Sequence, residues 1–287
     1  MISIKEALAG ATADLAGSSP TAELDARVLL EHVLDRNHAW LITRSNEIIE
    51  PETLARYETL IADRRSGRPL AYITGWKEFW SLRLEVNPSV LIPRPETERL
   101  VELALARIPG NNRWHIADLG TGSGAVALAI GSERPRCQVT ATDISVPALG
   151  IAKANASRLC LYNVHFRCGD WYSALAGDSF DLIVSNPPYI RCNEACLQQG
   201  DLAREPVSAL HSGAEGLDAL RVVAAGAREH LTPGGWVLVE HGYDQEHEVA
   251  RIFEANGLHR AKCYADHAGH PRVTEAQNDP CTSHAGV

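Results

Sequence analysis

The sequence predicts an α/β protein: a doubly wound, mostly parallel sheet that follows a small N-terminal helical domain and a β-hairpin linker. Three observations lead to this fold class. Up to about residue 72, apolar residues recur at helical spacing. Residues 82–86 then alternate between apolar and polar side chains, as in a half-buried strand. From Trp114 onward, short apolar runs alternate with helical stretches, which is the pattern of parallel strands joined by crossover helices.

The chain divides where these patterns change. We expect a helical domain over residues 1–75, a hairpin linker over 76–98, the sheet domain over 99–277 and a frayed tail over 278–287. Within the sheet domain, strands are predicted at residues 115–119, 138–143, 164–167, 180–185, 235–240 and 259–264.

The helices of the first domain have recognisable start signals. Ser3 and Glu6 form a capping box before the first helix. Thr21 is placed to cap the second helix, and Pro51 suits the first turn of another. The prolines within residues 92–98 stiffen the entry to the first helix of the sheet domain. Helical structure is therefore expected on both sides of the hairpin.

Composition narrows the class of protein. A 287-residue chain with 45% hydrophobic residues has ample material for a core, and a net charge of −9 argues against a long nucleic-acid footprint. Seven cysteines indicate free thiols, and the close pair Cys192 and Cys196 has no second pair or nearby histidine to complete a metal site. We predict no structural metal. With no apolar signal core and no membrane-length apolar stretch, the protein is expected in the cytoplasm.

A glycine loop follows the first predicted strand of the sheet, at residues 118–125. Gly120, Gly122 and Gly124 permit a tight strand-to-helix turn and let the backbone approach a ligand that a Cβ would repel. Asp143 ends the second strand, where a carboxylate accepts hydrogen bonds from ribose hydroxyls. Trp171 follows the third strand and is either an adenine contact or part of the core. NAD and S-adenosylmethionine both contain adenosine, so this pattern leaves the two cofactors open.

The segment Asn-Pro-Pro-Tyr-Ile at residues 186–190 ends the fourth strand at the same edge of the sheet. Asn186 offers an amide oxygen and Pro187 a free backbone carbonyl, so two acceptors lie at one spot. Two acceptors suit a planar NH₂ group, on which the ring of Tyr189 could stack. The loop therefore favours methyl transfer to an amide or amine nitrogen over dehydrogenase chemistry.

These residues resemble the class I S-adenosylmethionine-dependent methyltransferases that carry an Asn-Pro-Pro-Tyr motif. More narrowly, the chain is similar to the release factor glutamine methyltransferase family, called PrmC or HemK. The likeness covers nearly the whole sequence, and the Ile-Pro-Arg-Pro-Glu-Thr-Glu segment at 92–98 is its most specific part. Other matching segments lie within residues 24–30, 67–79, 205–210, 240–245 and 266–272.

The resemblance implies a protein-(glutamine-N5) methyltransferase whose cofactor is S-adenosylmethionine. The implied substrate is the glutamine of the Gly-Gly-Gln loop of peptide-chain release factors, with the helical domain docking the release factor. The cofactor-binding residues would be Gly120, Thr121, Gly122, Ser123, Gly124, Asp143, Trp171 and Asn186. The substrate-binding residues would be Asn186, Pro187, Pro188 and Tyr189, of which Asn186, Pro187 and Tyr189 would be catalytic.

Other readings remain at this stage. A DNA adenine methyltransferase would use the same motif on a flipped base, and the acidic charge weighs against it. A ribosomal-protein glutamine methyltransferase is opposed mainly by the sequence that follows Arg94. An NAD-dependent dehydrogenase would not explain residues 186–189, and a non-enzymatic binding module would not need every motif position. We expect a monomer that binds release factors and forms no stable complex with nucleic acid or membrane.

Overall fold

A computed structural model of the chain describes residues 2–194 and 200–279. It contains two compact units: residues 2–76 with 200–204, and residues 77–194 with 205–279. Cys196 and the last eight residues of the predicted tail, 280–287, lie outside the described residues. In the part of the chain that is described, no helix is long and apolar enough to cross a membrane.

The first unit is helical, as predicted. Its helices are α1 (Ile4–Leu15), α2 (Ala22–Leu34), α3 (His38–Thr43), α4 (Pro51–Arg65) and α5 (Leu70–Thr74), and a 3-10 turn spans Gly200–Arg204. The capping box is present: the Glu6 N–H donates to Ser3 Oγ (3.3 Å), and the Ser3 N–H donates to a Glu6 carboxylate oxygen (2.8 Å). Thr21 does precede α2, but its hydroxyl donates to Asp25 (2.9 Å) instead of capping the helix.

A buried ion pair joins the parts of this unit. Arg64 Nε donates to Asp25 Oδ2 (2.6 Å), and Arg64 Nη1 donates to Asp201 (2.8 Å). Asp25 and Arg64 are both buried. Because Asp201 belongs to the 3-10 turn, this pair ties that distant stretch of chain to α2 and α4.

A two-stranded hairpin of β1 (Trp76–Phe79) and β2 (Leu82–Glu85) precedes the sheet, as predicted. Its turn residues, Trp80 and Ser81, both have positive φ (52° and 56°), the backbone that tight hairpins require. The Asn155 side chain accepts from the Glu85 N–H (2.6 Å) and donates to the carbonyls of Glu85 and Ser123 (3.0 Å each). The Asn155 side chain thereby connects the end of β2 to the backbone at Ser123.

The second unit contains a seven-stranded sheet with helices on both faces, so the predicted doubly wound class is confirmed. The strands are β3 (His115–Leu119), β4 (Gln138–Asp143), β5 (Val164–Cys168), β6 (Phe180–Ser185), β7 (Leu231–Glu240), β8 (His259–Ala265) and β9 (Pro271–Gln277). The helices are α6 (Glu98–Arg107), α7 (Ala125–Glu133), α8 (Val146–Arg158), α9 (Asp218–His230) and α10 (Glu246–Ala255). Shorter 3-10 turns span Pro95–Thr97, Trp171–Leu175 and Val207–Ala209.

The strand order is β5-β4-β3-β6-β7-β9-β8, and β9 runs antiparallel to both of its neighbours, β7 and β8. Successive residues of the central strands enter different layers of the core. Leu182 packs with α6 and α7 in one cluster, and Ile183 packs with α9 and α10 in the other. Both residues are fully buried, which explains why these strands appear in the sequence as continuous apolar runs.

Two expectations for the C-terminal part of this unit were wrong. No strand was predicted at Pro271–Gln277, which is β9, and β7 begins at Leu231 rather than at residue 235. Asn278, assigned to the frayed tail, is instead buried: its N–H donates to the Gly235 carbonyl (2.9 Å), and its side-chain amide donates to the Leu231 carbonyl (3.0 Å). The sheet therefore extends to the position where disorder was expected to begin.

Candidate active site

A cavity of about 520 Å³ lies where the central parallel strands end, a size typical of small-molecule sites. Leu119 of β3 is level with Thr142 of β4 and with Ser185 of β6. The residues that follow these strands therefore come together at one edge. The glycine loop, Asp143 and Asn186 all line the cavity.

The glycine loop has the backbone that its sequence predicts. Gly120, Gly122 and Gly124 have φ of 72°, 57° and 87°, where a side chain would be strained. Gly120 and Gly122 line the cavity together with Thr121 and Ser123. Gly124 is not among the lining residues; it forms the turn into α7, where an added Cβ would lie 3.0 Å from Leu128.

Most N–H groups of this loop have partners within the protein. Those of Gly120 and Thr121 donate to the Thr142 carbonyl (2.9 Å each), and that of Gly122 donates to Asp143 Oδ2 (2.9 Å). A dinucleotide loop presents such groups to a pyrophosphate. Here they hold the ends of β3 and β4 together, which argues against NAD.

The charges around the cavity also argue against NAD. Asp118, Asp143 and Asp170 line it, and among the described lining residues Arg94 is the one with a positive charge. Arg94 is itself paired with the buried carboxylate of Glu205, which also accepts from the Ile92 N–H (3.0 Å). The cavity therefore suits a ligand with positive charge better than one with a pyrophosphate.

Asp118 is the most perturbed of these acids. It is 1% exposed, and its Oδ2 accepts from the Thr121 hydroxyl (2.6 Å) and from the Ala127 N–H (3.2 Å). Burial raises the pKa of Asp118 to about 7, against these two hydrogen bonds and with a smaller contribution from the charge of Asp143. Near neutral pH the Asp118 carboxyl is therefore partly protonated, and a cation bound in the cavity would favour its ionised form.

Trp171 lies beside the glycine loop. A Cβ on Gly120 would be 3.8 Å from the Trp171 ring, so the ring covers the backbone there. Trp171 has φ of 47°, an uncommon conformation for a large residue, and its carbonyl accepts a hydrogen bond from the Thr142 hydroxyl (3.4 Å). The ring lines the cavity and also packs on the core, and the adenine contact stays a prediction.

The Asn-Pro-Pro-Tyr loop is only partly turned toward the cavity. Asn186 and Pro188 line it, whereas Pro187 and Tyr189 are not among the lining residues. Asn186 Nδ2 donates to the hydroxyl of Thr97 (3.0 Å), which is buried. The carbonyl oxygen of the Asn186 side chain is therefore the end left to meet a ligand.

Tyr189 is directed to a buried acid. Its hydroxyl donates to Glu240 Oε1 (3.1 Å), and its ring packs against the core cluster of α9 and α10. Glu240 is 1% exposed, and burial raises its pKa to about 7, although the hydroxyls of Thr97 and Tyr189 and the charge of Arg272 oppose the rise. Burial also raises the pKa of the Tyr189 phenol, which keeps it a neutral donor.

The loop is held from behind by Gln245. The Gln245 amide donates to the Tyr189 carbonyl (3.1 Å) and the Gly216 carbonyl (3.3 Å), and its oxygen accepts from the Gly242 N–H (2.8 Å). A Cβ on Gly216 would lie only 2.3 Å from the Tyr189 carbonyl oxygen. The exit from the loop is therefore fixed by close packing.

The sequence analysis missed three buried polar residues of the site: Asp118, Thr97 and Glu240. Asp118 could have been found, because a carboxylate at the end of a buried strand next to a glycine loop is expensive to bury. Thr97 and Glu240 lie in the matching segments 92–98 and 240–245, but the sequence assigned neither a role in the site. They become notable only when the chain brings them to Asn186 and Tyr189.

The doubly wound sheet, the glycine loop and the acidic cavity at the strand ends define the class of protein as S-adenosylmethionine-dependent methyltransferases. The family model of the PrmC N-terminal domain matches residues 6–75, and that of the methyltransferase small domain matches residues 100–213. Together with curated relatives that are 42–50% identical over most of its length, these matches show that the chain belongs to the release factor glutamine methyltransferase family.

Curated relatives share most of their length with this chain. The release factor glutamine methyltransferase of Xylella fastidiosa (strain Temecula1) is 50% identical over 88% of this chain and 91% of its own. That of Vibrio cholerae is 49% identical over 96% of this chain and 97% of its own. That of Escherichia coli is 42% identical over 90% and 92%.

Solved structures at lower identity share the fold. A methyltransferase from Pyrococcus furiosus is 17% identical, with a TM-score of 0.54 over 78% of this chain and 99% of its own. The rRNA methyltransferase RsmC of T. thermophilus, solved with AdoMet and guanosine, is 19% identical, with a TM-score of 0.52 over 70% of this chain and 49% of its own. These similarities extend to the fold alone.

Proposed function

We propose that this protein transfers a methyl group from S-adenosylmethionine to the side-chain amide nitrogen of the glutamine in the Gly-Gly-Gln loop of peptide-chain release factors. One observation carries the proposal. Asn186 presents an amide oxygen, fixed from behind by Thr97, to the same cavity that the glycine loop lines. An acceptor for an amide N–H thus lies next to a site for an adenosine cofactor, in a chain of this family.

The residues present fit that cofactor. Gly120, Thr121, Gly122 and Ser123 would hold it along the loop, where a Cβ on the two glycines would be strained. Each of the two carboxylate oxygens of Asp143 already accepts one backbone N–H. Each oxygen therefore keeps a lone pair that could accept from a ribose hydroxyl. Trp171 would cover the adenine, and Gly124 would act by shaping the turn. When bound, S-adenosylmethionine supplies an electrophilic methyl group on a positively charged sulfur.

The chain's own contribution is orientation. The Asn186 side-chain oxygen and the Pro187 carbonyl would accept the two hydrogens of the substrate amide, and residues 186–189 together would hold the glutamine. Fixing both hydrogens aims the nitrogen lone pair, and such positioning contributes roughly 7–11 kcal/mol in well-oriented reactions. Methylation of the neutral amide nitrogen gives a cationic amide, which loses its extra proton readily to water, so we assign no general base to the site.

The remaining parts of the chain have supporting roles in this proposal. The helical domain, residues 1–75, would dock the release factor, with residues 76–98 as the linker and 99–277 as the methyltransferase domain. The enzyme would act in the cytoplasm as a monomer. Its net charge of −9 supports a protein substrate over a stable nucleic-acid complex.

The test is transfer of labelled methyl from S-adenosylmethionine to three acceptors in parallel. They are a release factor, the same factor with its Gly-Gly-Gln glutamine changed to alanine, and unmethylated duplex DNA. Label in the first acceptor alone is expected. Label in the alanine variant would move the reaction to another residue, and label in DNA alone would overturn the substrate while keeping the fold.

Asn186→Ala is the matched chain variant. It should abolish transfer to the release factor while affinity for S-adenosylhomocysteine, measured by calorimetry, falls less. Unchanged transfer would remove the side-chain oxygen from the mechanism.

A further inference from the structure

The orientation of the Asn186 amide decides whether it can serve a substrate NH₂ group. With its oxygen toward the cavity, Asn186 accepts a hydrogen bond from that group. With the amide turned over, its own NH₂ would face the substrate NH₂, and two donors cannot bond to each other. Something in the protein must therefore favour one orientation over the other.

The Thr97 hydroxyl is the contact that makes this choice. It lies 3.0 Å from Asn186 Nδ2 and is buried at the end of the 3-10 turn Pro95–Thr97. A hydroxyl can accept from an NH₂ group, but it can equally donate its single proton to an amide oxygen. Thr97 discriminates between the two orientations of Asn186 only if its proton is engaged elsewhere.

Glu240 is placed to engage that proton. It is 1% exposed, its Oε1 accepts from the Tyr189 hydroxyl (3.1 Å), and its Oε2 has no partner that meets hydrogen-bond geometry. The Thr97 hydroxyl is close enough to Glu240 to favour its charged carboxylate form. A buried acceptor with no donor is costly, so it draws the Thr97 proton toward itself.

We propose that Thr97 and Glu240 are positioning residues. Glu240 accepts a hydrogen bond from the Thr97 hydroxyl, and the oxygen of that hydroxyl accepts one from the Asn186 amide. The Asn186 side-chain oxygen is thereby held toward the substrate. This inference rests on the function proposed above and extends it to two residues that act through Asn186. Two charged side chains act on Glu240: the charge of Arg272 favours the carboxylate form, and the charge of Glu96 opposes it. Arg272 is engaged by Asp266 (3.3 Å) and by the His241 carbonyl (3.2 Å).

The test uses Thr97→Val, Thr97→Ser, Glu240→Leu and the double variant Thr97→Val/Glu240→Leu, assayed for kcat and KM on a release factor. Thr97→Ser keeps the hydroxyl and should stay within about threefold of the wild type. Thr97→Val should lower kcat about tenfold, the size of one hydrogen bond. Affinity for S-adenosylhomocysteine should change less than about threefold in every variant.

The double variant separates positioning from packing. In Glu240→Leu, the Thr97 proton has no acceptor except Asn186, so the amide turns over and kcat should fall below that of Thr97→Val. Removing the hydroxyl as well should then raise kcat back to the Thr97→Val level. Additive losses in the double variant would overturn the proposal, because independent residues add.

Two further comparisons keep the result interpretable. If thermal unfolding shows that Glu240→Leu does not fold, Glu240→Met, which also lacks an oxygen acceptor, replaces it, and adding Thr97→Val to that variant should again raise kcat to the Thr97→Val level. Thr232→Val removes a hydroxyl at the start of β7, at the other end of the strand, and should leave kcat unchanged. If the wild type methylates a different acceptor, the proposed function fails, and the same cycle on that acceptor still decides the positioning roles.

Discussion

Asp118→Asn should stabilise the ligand-free protein above neutral pH and weaken its hold on the cofactor. Both hydrogen bonds to Asp118, from Thr121 and Ala127, go to the same oxygen, Oδ2. An asparagine with its carbonyl oxygen at that position can accept both. The substitution therefore removes the charge of a buried side chain and keeps its contacts and shape.

The magnitude follows from the pKa of Asp118. Burial raises it to about 7 from a usual value of 3.8, so the folded state binds a proton more tightly than the unfolded chain. Stability from this group is fully present below about pH 4 and is lost as the pH rises to about 7. At about 1.4 kcal/mol for each tenfold change, the whole loss is about 4 kcal/mol, and about 3 kcal/mol of it falls between pH 5 and pH 8.

Urea unfolding of the wild type and of Asp118→Asn at pH 5 and pH 8 measures this difference directly. The variant should gain on the wild type by about 3 kcal/mol between the two pH values. Calorimetry at pH 8 should show weaker binding of S-adenosylmethionine to the variant, because the charge facing the cavity is gone. Parallel stability curves for the two proteins would refute the reasoning, since Asp118 would then titrate alike in the folded and unfolded states.

Three further variants test other parts of the site. Asp143→Ala should lower affinity for S-adenosylhomocysteine by about tenfold or more, through lost charge-assisted hydrogen bonds, and wild-type affinity in calorimetry would remove the residue from the cofactor site. Tyr189→Phe removes a donor to Glu240, so the pKa of Glu240 should rise and the acidic limb of the kcat profile should move to higher pH; an unmoved limb would contradict this coupling. Gly216→Ala should lower the unfolding free energy by more than its control, Gly234→Ala, which shares the positive φ without the close contact and should lose about 1–2 kcal/mol; equal losses would show that the contact relaxes freely.

The sequence predicted the parallel part of the sheet because those strands are buried on both faces and appear as unbroken apolar runs. Strand β9 was missed because its sequence, Pro-Arg-Val-Thr-Glu-Ala-Gln, looks polar. In the structure, Glu275 of β9 is 2% exposed and is paired with Arg107 of α6, with Tyr264 donating to it from β8 (2.7 Å). A partner 168 residues away cannot be found by local periodicity.

The candidate site, like the sheet, was predictable from the sequence only where its residues are close together along the chain. The glycine loop and the Asn-Pro-Pro-Tyr loop are contiguous, so their backbone demands are visible in the sequence. The contact from Asn186 to Thr97 spans 89 residues, and that from Tyr189 to Glu240 spans 51. Tyr189 was expected to stack on the substrate, yet it lies against the core with its hydroxyl on Glu240, an environment that the motif alone does not contain.

Two buried carboxylates flank β6, the strand that leads into Asn186. Asp118 is on β3 and Glu240 on β7, the two neighbours of β6, and burial raises the pKa of each to about 7. In the ligand-free protein both destabilise the fold as the pH rises from about 4 to about 7, which a purely structural position would not require. A cofactor with a positive charge in the adjoining cavity would favour the ionised form of Asp118, and its binding would recover the lost stability. We therefore expect the buried acids on both sides of β6 to serve the charge of the cofactor and the orientation of Asn186 rather than the packing of the sheet.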